Sequence, residues 1–222
     1  MPLYRIKDLF DLNKTMAAAL FSGREYPWQA LEGIGDFILA AGPLLPAGRF
    51  SHPAEGVWIA NSARVAASAS ITGPCIIDED AEVRHCAFIR GNAVVGKGAV
   101  VGNSTELKNV VLFDKVQVPH YNYVGDSILG HRAHMGAGAI TSNVKSDKTH
   151  VVMKCRDESM DTGRKKVGAM LGDDVEVGCN SVLCPGSVVG RGSNVYPLSR
   201  VRGQVPENSI FKSADQIVPK NG

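Results

Sequence analysis

The run Ile59-Ala60-Asn61-Ser62-Ala63-Arg64-Val65-Ala66-Ala67-Ser68-Ala69-Ser70-Ile71-Thr72-Gly73-Pro74-Cys75-Ile76 places an aliphatic residue at every sixth position. The period continues at Ile77, Val83, Ile89, Val95, Val101 and Leu107. It shortens by one residue before Leu112 and again before Leu129, and passes through Val118, Val124 and Met135. It resumes at Leu171, Val177, Leu183, Val189, Val195 and Val201. The fifth position is small, as at Ala63, Ala81, Ala99, Ala139 and Ser187. A period of six fits neither a helix nor an alternating strand; it is the period of a parallel β-helix built from hexapeptide repeats. Three hexads make one coil of a triangular prism, with the aliphatic position pointing inward and the small residue fitting the corner. About twenty hexads make about seven coils, a prism about 33 Å tall at the ~4.8 Å spacing of strands. The fold class is therefore all-β.

Composition agrees. The 222 residues include 24 Gly and only 6% aromatics, as an aliphatic stack with tight corners requires. With 44% hydrophobic residues, 21% charged and a net charge of +2, the chain is neither disordered nor a polyanion binder. Its basic residues are scattered without interleaved aromatics, so no nucleic-acid partner is expected. No apolar run reaches the ~20 residues of a membrane span, so no membrane partner is expected. Met16 to Phe21 is too short and badly placed for a signal peptide. Five cysteines, at 75, 86, 155, 179 and 184, read as reduced thiols of a cytoplasmic protein. The spacing of Cys179 and Cys184 has no second pair to complete a zinc site.

Three segments follow. Residues 1–58 form a short N-terminal helical segment. Trp28, Leu31, Ile34 and Ile38 mark an amphipathic helix that opens at Pro27 and ends at Gly42-Pro43, and a shorter helix spans Lys14 to Phe21. Residues 59–206 form the prism, interrupted by a charged excursion loop over 144–165. Residues 207–222 are a C-terminal tail.

The repeat also works as a ruler. Arg90 and Lys108 are second-position residues eighteen apart, so they stack on one outer face. Glu106 and Tyr123 are sixth-position residues of adjacent coils at the corner leading into that face, and His120 lies just round it. Stacked cations require an anion, and Arg and Lys both suit phosphate. His120 is suited to be a general base, with Glu106 orienting its imidazole. The chemistry points to an anionic, hydroxyl-rich small molecule.

Four stretches carry a resemblance. Val101-Gly102-Asn103-Ser104-Thr105-Glu106-Leu107-Lys108, His120-Tyr121-Asn122-Tyr123-Val124-Gly125-Asp126, Met135-Gly136-Ala137-Gly138-Ala139-Ile140-Thr141-Ser142-Asn143 and Leu171-Gly172-Asp173-Asp174-Val175-Glu176-Val177-Gly178 resemble the acetyltransferase domain of the bacterial bifunctional N-acetylglucosamine-1-phosphate uridyltransferase/glucosamine-1-phosphate acetyltransferase. The resemblance runs from about Ile59 to Val201. It implies a left-handed coil, a homotrimer with acetyl-coenzyme A bound between subunits, and acetyl transfer to the amine of glucosamine 1-phosphate in UDP-N-acetylglucosamine synthesis. It implies sugar-phosphate binding by Arg90 and Lys108, further substrate contacts by Tyr123 and Asn143, and His120 as base. Gly136, Ala137 and Gly138 would hold the cofactor or polarise its carbonyl through backbone amides. No catalytic metal is implied.

Departures from that family bear on the acceptor. His134 replaces a substrate asparagine, Cys179 a serine near the cofactor, and Pro197 stands at another cofactor contact. Lys148 and Lys166 are both candidates for a substrate lysine, and the 144–165 loop is longer than the family's. Residues 1–58 contain no Gly-rich strand-turn-helix of a uridyltransferase domain. Two other readings compete. One is a trimeric module that binds a sugar phosphate without turnover. The other is a γ-type carbonic anhydrase, invited by His85, His120, His131 and His134, in which a required ligand position falls on Gly125.

Overall fold

The computed structural model describes residues 2–220, and from Phe50 onward they are almost entirely β. Three parallel columns of inward residues run through the chain. On the first face Ile59, Ile77, Val95, Leu112, Leu129, Leu171, Val189 and Val205 stack in register. On the second, Val65, Val83 and Val101 stack at the start, and Val177, Val195 and Phe211 toward the C-terminal end. On the third, Ile71, Ile89, Leu107 and Val124 lead to Leu183 and Val201. The hexad reading of the fold is thus met in its register, including both one-residue shortenings, while the first face stacks eight inward residues where about seven coils were expected, because the repeat runs on past Val201. At each shortening the strand runs unbroken round the corner, over Glu106–Leu112 and Tyr123–Leu129.

One inward residue escaped the aliphatic pattern. Thr141 pairs with Leu183 and is fully buried in the third column. Its hydroxyl accepts from Gly125 N at 2.9 Å, so burial costs no unsatisfied polar group.

The first face differs from the other two in its outward residues. Ile76, Val94, Val111, Ile128, Met170 and Val188 precede the inward residues there, and all are at most 1% exposed. On the second face the corresponding residues include Arg64, Glu82, Gln117, His134 and Glu176. The reason is cover: the N-terminal segment lies over the strands Cys75–Ile77, Ala93–Val95, Glu106–Leu112 and Tyr123–Leu129. A strand buried on both sides reads as a continuous apolar run.

That segment is helical, in shorter pieces than its periodicity predicts. A 3-10 helix, Pro27–Gly33, gives way to an α-helix, Ile34–Ala41. Gly33 and Gly35 each weaken an α-helix by about 1 kcal/mol, which favours the change of winding here. Trp28, Leu31, Ile34 and Ile38 are nevertheless all buried, as their spacing requires. The expected helix over Lys14 to Phe21 is two 3-10 turns, Leu12–Lys14 and Ala18–Phe21, with Thr15 extended between them. Phe10, Phe21 and Phe113 form a ring cluster with centroids 5.0 to 6.1 Å apart, joining the segment to the first corner. Asp173 Oδ2 accepts from Asp11 N at 2.8 Å, and Asp114 N donates to Lys14 O at 3.0 Å.

The excursion is folded. Val152–Lys154 pairs antiparallel with Ser159–Asp161, and Val144 bridges Lys166 at its base. Val151, Met153 and Val167 are buried. Gly186 leaves room for this packing, since a Cβ there would lie 2.9 Å from Val151 Cγ1. Ser209–Ser213 adds a further strand beside Asn194–Val195, and Gln216–Pro219 folds back upon it. No helix among the described residues is long and apolar enough to cross a membrane.

Candidate functional site

The ruler residues meet at the second and third corners. Glu106 lies in register with both Phe88 and Tyr123, so Arg90, Glu106, Lys108 and Tyr123 belong to adjacent coils of the third face. Arg90 Nη1 donates to Glu106 Oε1 at 2.6 Å, which raises the pKa of Arg90 and fixes its cation over this face. Tyr123 is half-buried, and burial is the largest cause of its raised pKa. Its hydroxyl is therefore a neutral phenol near pH 7. It accepts from Asn143 Nδ2 at 3.2 Å. Gly125 makes this contact possible: a Cβ there would sit 2.5 Å from the Tyr123 hydroxyl and 2.9 Å from Asn143 Nδ2.

Asn143 reaches further. The same Nδ2 donates to Asp126 Oδ2 at 2.6 Å, and Lys108 Nζ lies 3.7 Å from that oxygen. Lys166 stands at the base of the excursion, paired with Val144. Val167 N donates to Asn143 O, which joins that base to the third face. Lys148 lies farther out, at a turn closed by its N–H bond to Lys145 O.

A separate column runs along the second corner. His120 is in register with Asn103. Gly138 N donates to His120 O, Asn180 N to Ala137 O, and Leu198 N to Cys179 O, at 2.8 to 3.0 Å. These bonds stack His120, Ala137, Cys179 and Pro197 in successive coils. His120 and Cys179 are exposed, as is Pro197. Gly136 serves the stack itself, since a Cβ there would lie 2.7 Å from Cys179 N. Gly138 holds a left-handed φ of 71° at the turn. Residues expected as base and as cofactor contacts therefore share one edge. From His120 the chain turns through Tyr121 and Asn122 into Tyr123 and the third face. Buried Asn122 fixes that turn, accepting from His120 N at 3.1 Å and donating to Gly136 O and Ala139 O.

One expectation about side-chain partners changes. Glu106 does not orient the His120 imidazole in this chain: its carboxylate is held by Arg90, and the His120 ring has no hydrogen-bond partner among the described residues. His134, which stands where the resembled family has a substrate asparagine, lies on the second face. Its Nδ1 is 2.7 Å from Glu176 Oε2, its register neighbour across the excursion. The other histidines are dispersed, His85 Nδ1 lying 3.3 Å from Ser68 Oγ. No cluster of three or more His, Cys, Asp or Glu suited to a metal occurs among the described residues.

The sequence stretches include Asp126 and Asn122 without giving either a partner, and Asn109 lies outside them. The available signal was the repeat slip itself, which falls beside Asn109 and Asp126.

Comparison with known proteins places the chain in a family. Residues 71–210, more than half of the chain, match the family model described as the GMPPB C-terminal domain. A bifunctional sugar-1-phosphate nucleotidylyltransferase/acetyltransferase of Sulfurisphaera tokodaii is 30% identical over 174 residues, which cover 70% of this chain and 43% of that protein. A bifunctional protein GlmU of Methanococcus maripaludis is 32% identical over 175 residues, covering 71% and 42%. The chain thus spans less than half the length of these relatives. Among solved structures, a hexapeptide transferase family protein from Anaplasma phagocytophilum is similar at 18% identity and a TM-score of 0.41, covering 75% of this chain and 81% of that one.

Proposed function

This chain belongs to the GMPPB C-terminal domain family, and from that premise we propose that it is an acetyl-coenzyme A-dependent N-acetyltransferase of a phosphorylated amino sugar such as glucosamine 1-phosphate. The observation that carries the reading is the shared edge: one corner column holds His120, Ala137, Cys179 and Pro197, and its turn leads straight into the cationic face of Arg90 and Lys108. Acyl transfer needs a donor site, an acceptor site and a base between them, and this arrangement supports all three. The resemblance adds that copies of the chain form a homotrimer with the donor between subunits. Exposed Tyr121, Tyr196 and Leu198, at 45 to 80% accessibility along the second corner, support that assembly.

In this reading Lys108 and the unpaired donors of the Arg90 guanidinium take the phosphate. The Tyr123 and Asn143 side chains position sugar hydroxyls. The His120 ring accepts a proton as the sugar amine attacks the thioester carbonyl. A carbon–nitrogen bond forms, the carbon–sulfur bond breaks, and the proton passes to the coenzyme A thiolate or to water. The Ala137 backbone amide stabilises the oxyanion, its neighbours at Gly136 and Gly138 being taken by Val177 O and His120 O. Lys166, adjoining the Asn143 backbone, extends the acceptor side.

The test is thiol release from acetyl-coenzyme A in the presence of glucosamine 1-phosphate. His120→Ala is expected to lower kcat by about 10² or more, with little change in the KM of the sugar phosphate. Unchanged turnover in that variant contradicts the base assignment. The Glu106–Arg90 pair, which leaves the His120 ring without an orienting carboxylate, favours one rival, a module that binds the sugar phosphate without turnover. Calorimetric binding with no thiol release by the wild-type protein would establish that rival.

A further inference from the structure

Asp126 is 3% exposed, and its backbone adopts a left-handed φ of 48° at the third corner. Glycine makes this turn elsewhere: Gly91 and Gly203, each two residues past an inward aliphatic, have φ of 89° and 82°. Non-glycine residues replace it at Asn109 and Asp126, with φ of 55° and 48°. These are the two coils shortened by one residue, and they also carry Lys108 and Tyr123. If the corner needed only a turn, glycine would serve there too, at lower strain.

The side chains explain the exchange. Asn109 Nδ2 donates to Asp126 Oδ1 at 2.9 Å, and Asn143 Nδ2 donates to Asp126 Oδ2 at 2.6 Å. Lys108 Nζ stands 3.7 Å from Oδ2. The backbone is tied as well, since Gly168 N donates to Asp126 O at 2.8 Å where the excursion returns to the prism. Asp126 therefore gathers the ammonium of one coil and the carboxamide at the start of the excursion through its carboxylate, and the residue at the excursion's end through its backbone carbonyl.

We infer that Asp126 is a positioning residue for the anionic acceptor: it aims Lys108 and Asn143 at one point and anchors the excursion that flanks them. The inference rests on the reading in which those two side chains bind a sugar phosphate. Asp126 itself repels an anion, so it acts through its partners and keeps its own oxygens turned into their hydrogen bonds.

Asp126→Asn tests this. Asn tolerates the left-handed turn and matches Asp in shape. Its amide replaces one acceptor with a donor that faces the NH2 of Asn109 or Asn143. The KM of glucosamine 1-phosphate is expected to rise about tenfold, as the loss of a charge-assisted bond implies. The KM of acetyl-coenzyme A should not change, and Tm should hold within about 3 °C. A crystal structure of the variant should show the Asn143 carboxamide displaced. An unchanged sugar-phosphate KM overturns the inference, as does a joint rise of both KM values with a fall in Tm, which marks a turn-forming role alone. If the wild type releases no thiol, calorimetry with glucosamine 1-phosphate separates the ideas. Weakened binding by the variant keeps Asp126 as positioner while acetyl transfer falls, and no binding by the wild type removes both.

Discussion

Asp78 illustrates what a corner column does to a single charge. Its pKa is raised above the usual 3.8, first by burial and then by the nearby Asp114 and Glu79 carboxylates. A raised folded pKa means that the ionised form is disfavoured in the folded protein. Asp78→Asn keeps the acceptor that bonds Glu79 N at 2.7 Å and removes the charge. The variant should be more stable at pH 7 by about 0.5 kcal/mol, a figure discounted for partial solvent screening. As pH falls through the raised pKa toward 3.8, wild-type Asp78 takes up its proton and the advantage disappears. Denaturant midpoints of both proteins at pH 7 and pH 4 measure this. A gap that widens on acidification contradicts the assignment. At this scale the sequence was readable where backbone register alone decides. The eighteen-residue step joined Arg90 to Lys108, and the slipped step joined Glu106 to Tyr123. Side-chain choice was not readable. Arg90 takes Glu106 because long rotamers reach one coil, and His134 meets Glu176 forty-two residues away only because the excursion is looped out.

Among elements, the helix Ile34–Ala41 shows why one prism face is closed. Ile38 is fully buried, while Leu39 beside it is 51% exposed. Ile38→Ala should cost about 2–5 kcal/mol in unfolding free energy, and Leu39→Ala about 0.5 kcal/mol or less. Equal losses in chemical denaturation would mean that the segment does not pack as described. The covered face had its own signature: Cys75-Ile76-Ile77, Ala93-Val94-Val95 and Val110-Val111-Leu112 are apolar without alternation, unlike Glu82-Val83 or Glu176-Val177. The six-residue period marks the inward position and carries no information about its outward neighbour. The excursion was less legible. Its buried Val151 and Met153 are too few for periodicity to register, and they matter only because Gly186 opens a place for them.

Over the whole molecule, the prism turns residues far apart in sequence into neighbours at fixed spacing. The second corner supplies one column of groups, the third face another, and the Tyr121–Asn122 turn joins them. Thr141 marks where the hydrophobic rule yields to the site, since its hydroxyl receives Gly125 N and donates to Tyr123 O at 3.3 Å. The central claim is that these two columns are the donor and acceptor halves of one acetyltransferase. The direct measurement is thiol release from acetyl-coenzyme A by the purified chain, with glucosamine 1-phosphate and with unphosphorylated glucosamine in parallel. The account predicts turnover that saturates with the phosphorylated sugar and is at least about tenfold less efficient without the phosphate. Equal efficiency with both sugars, or no release with either, would contradict it.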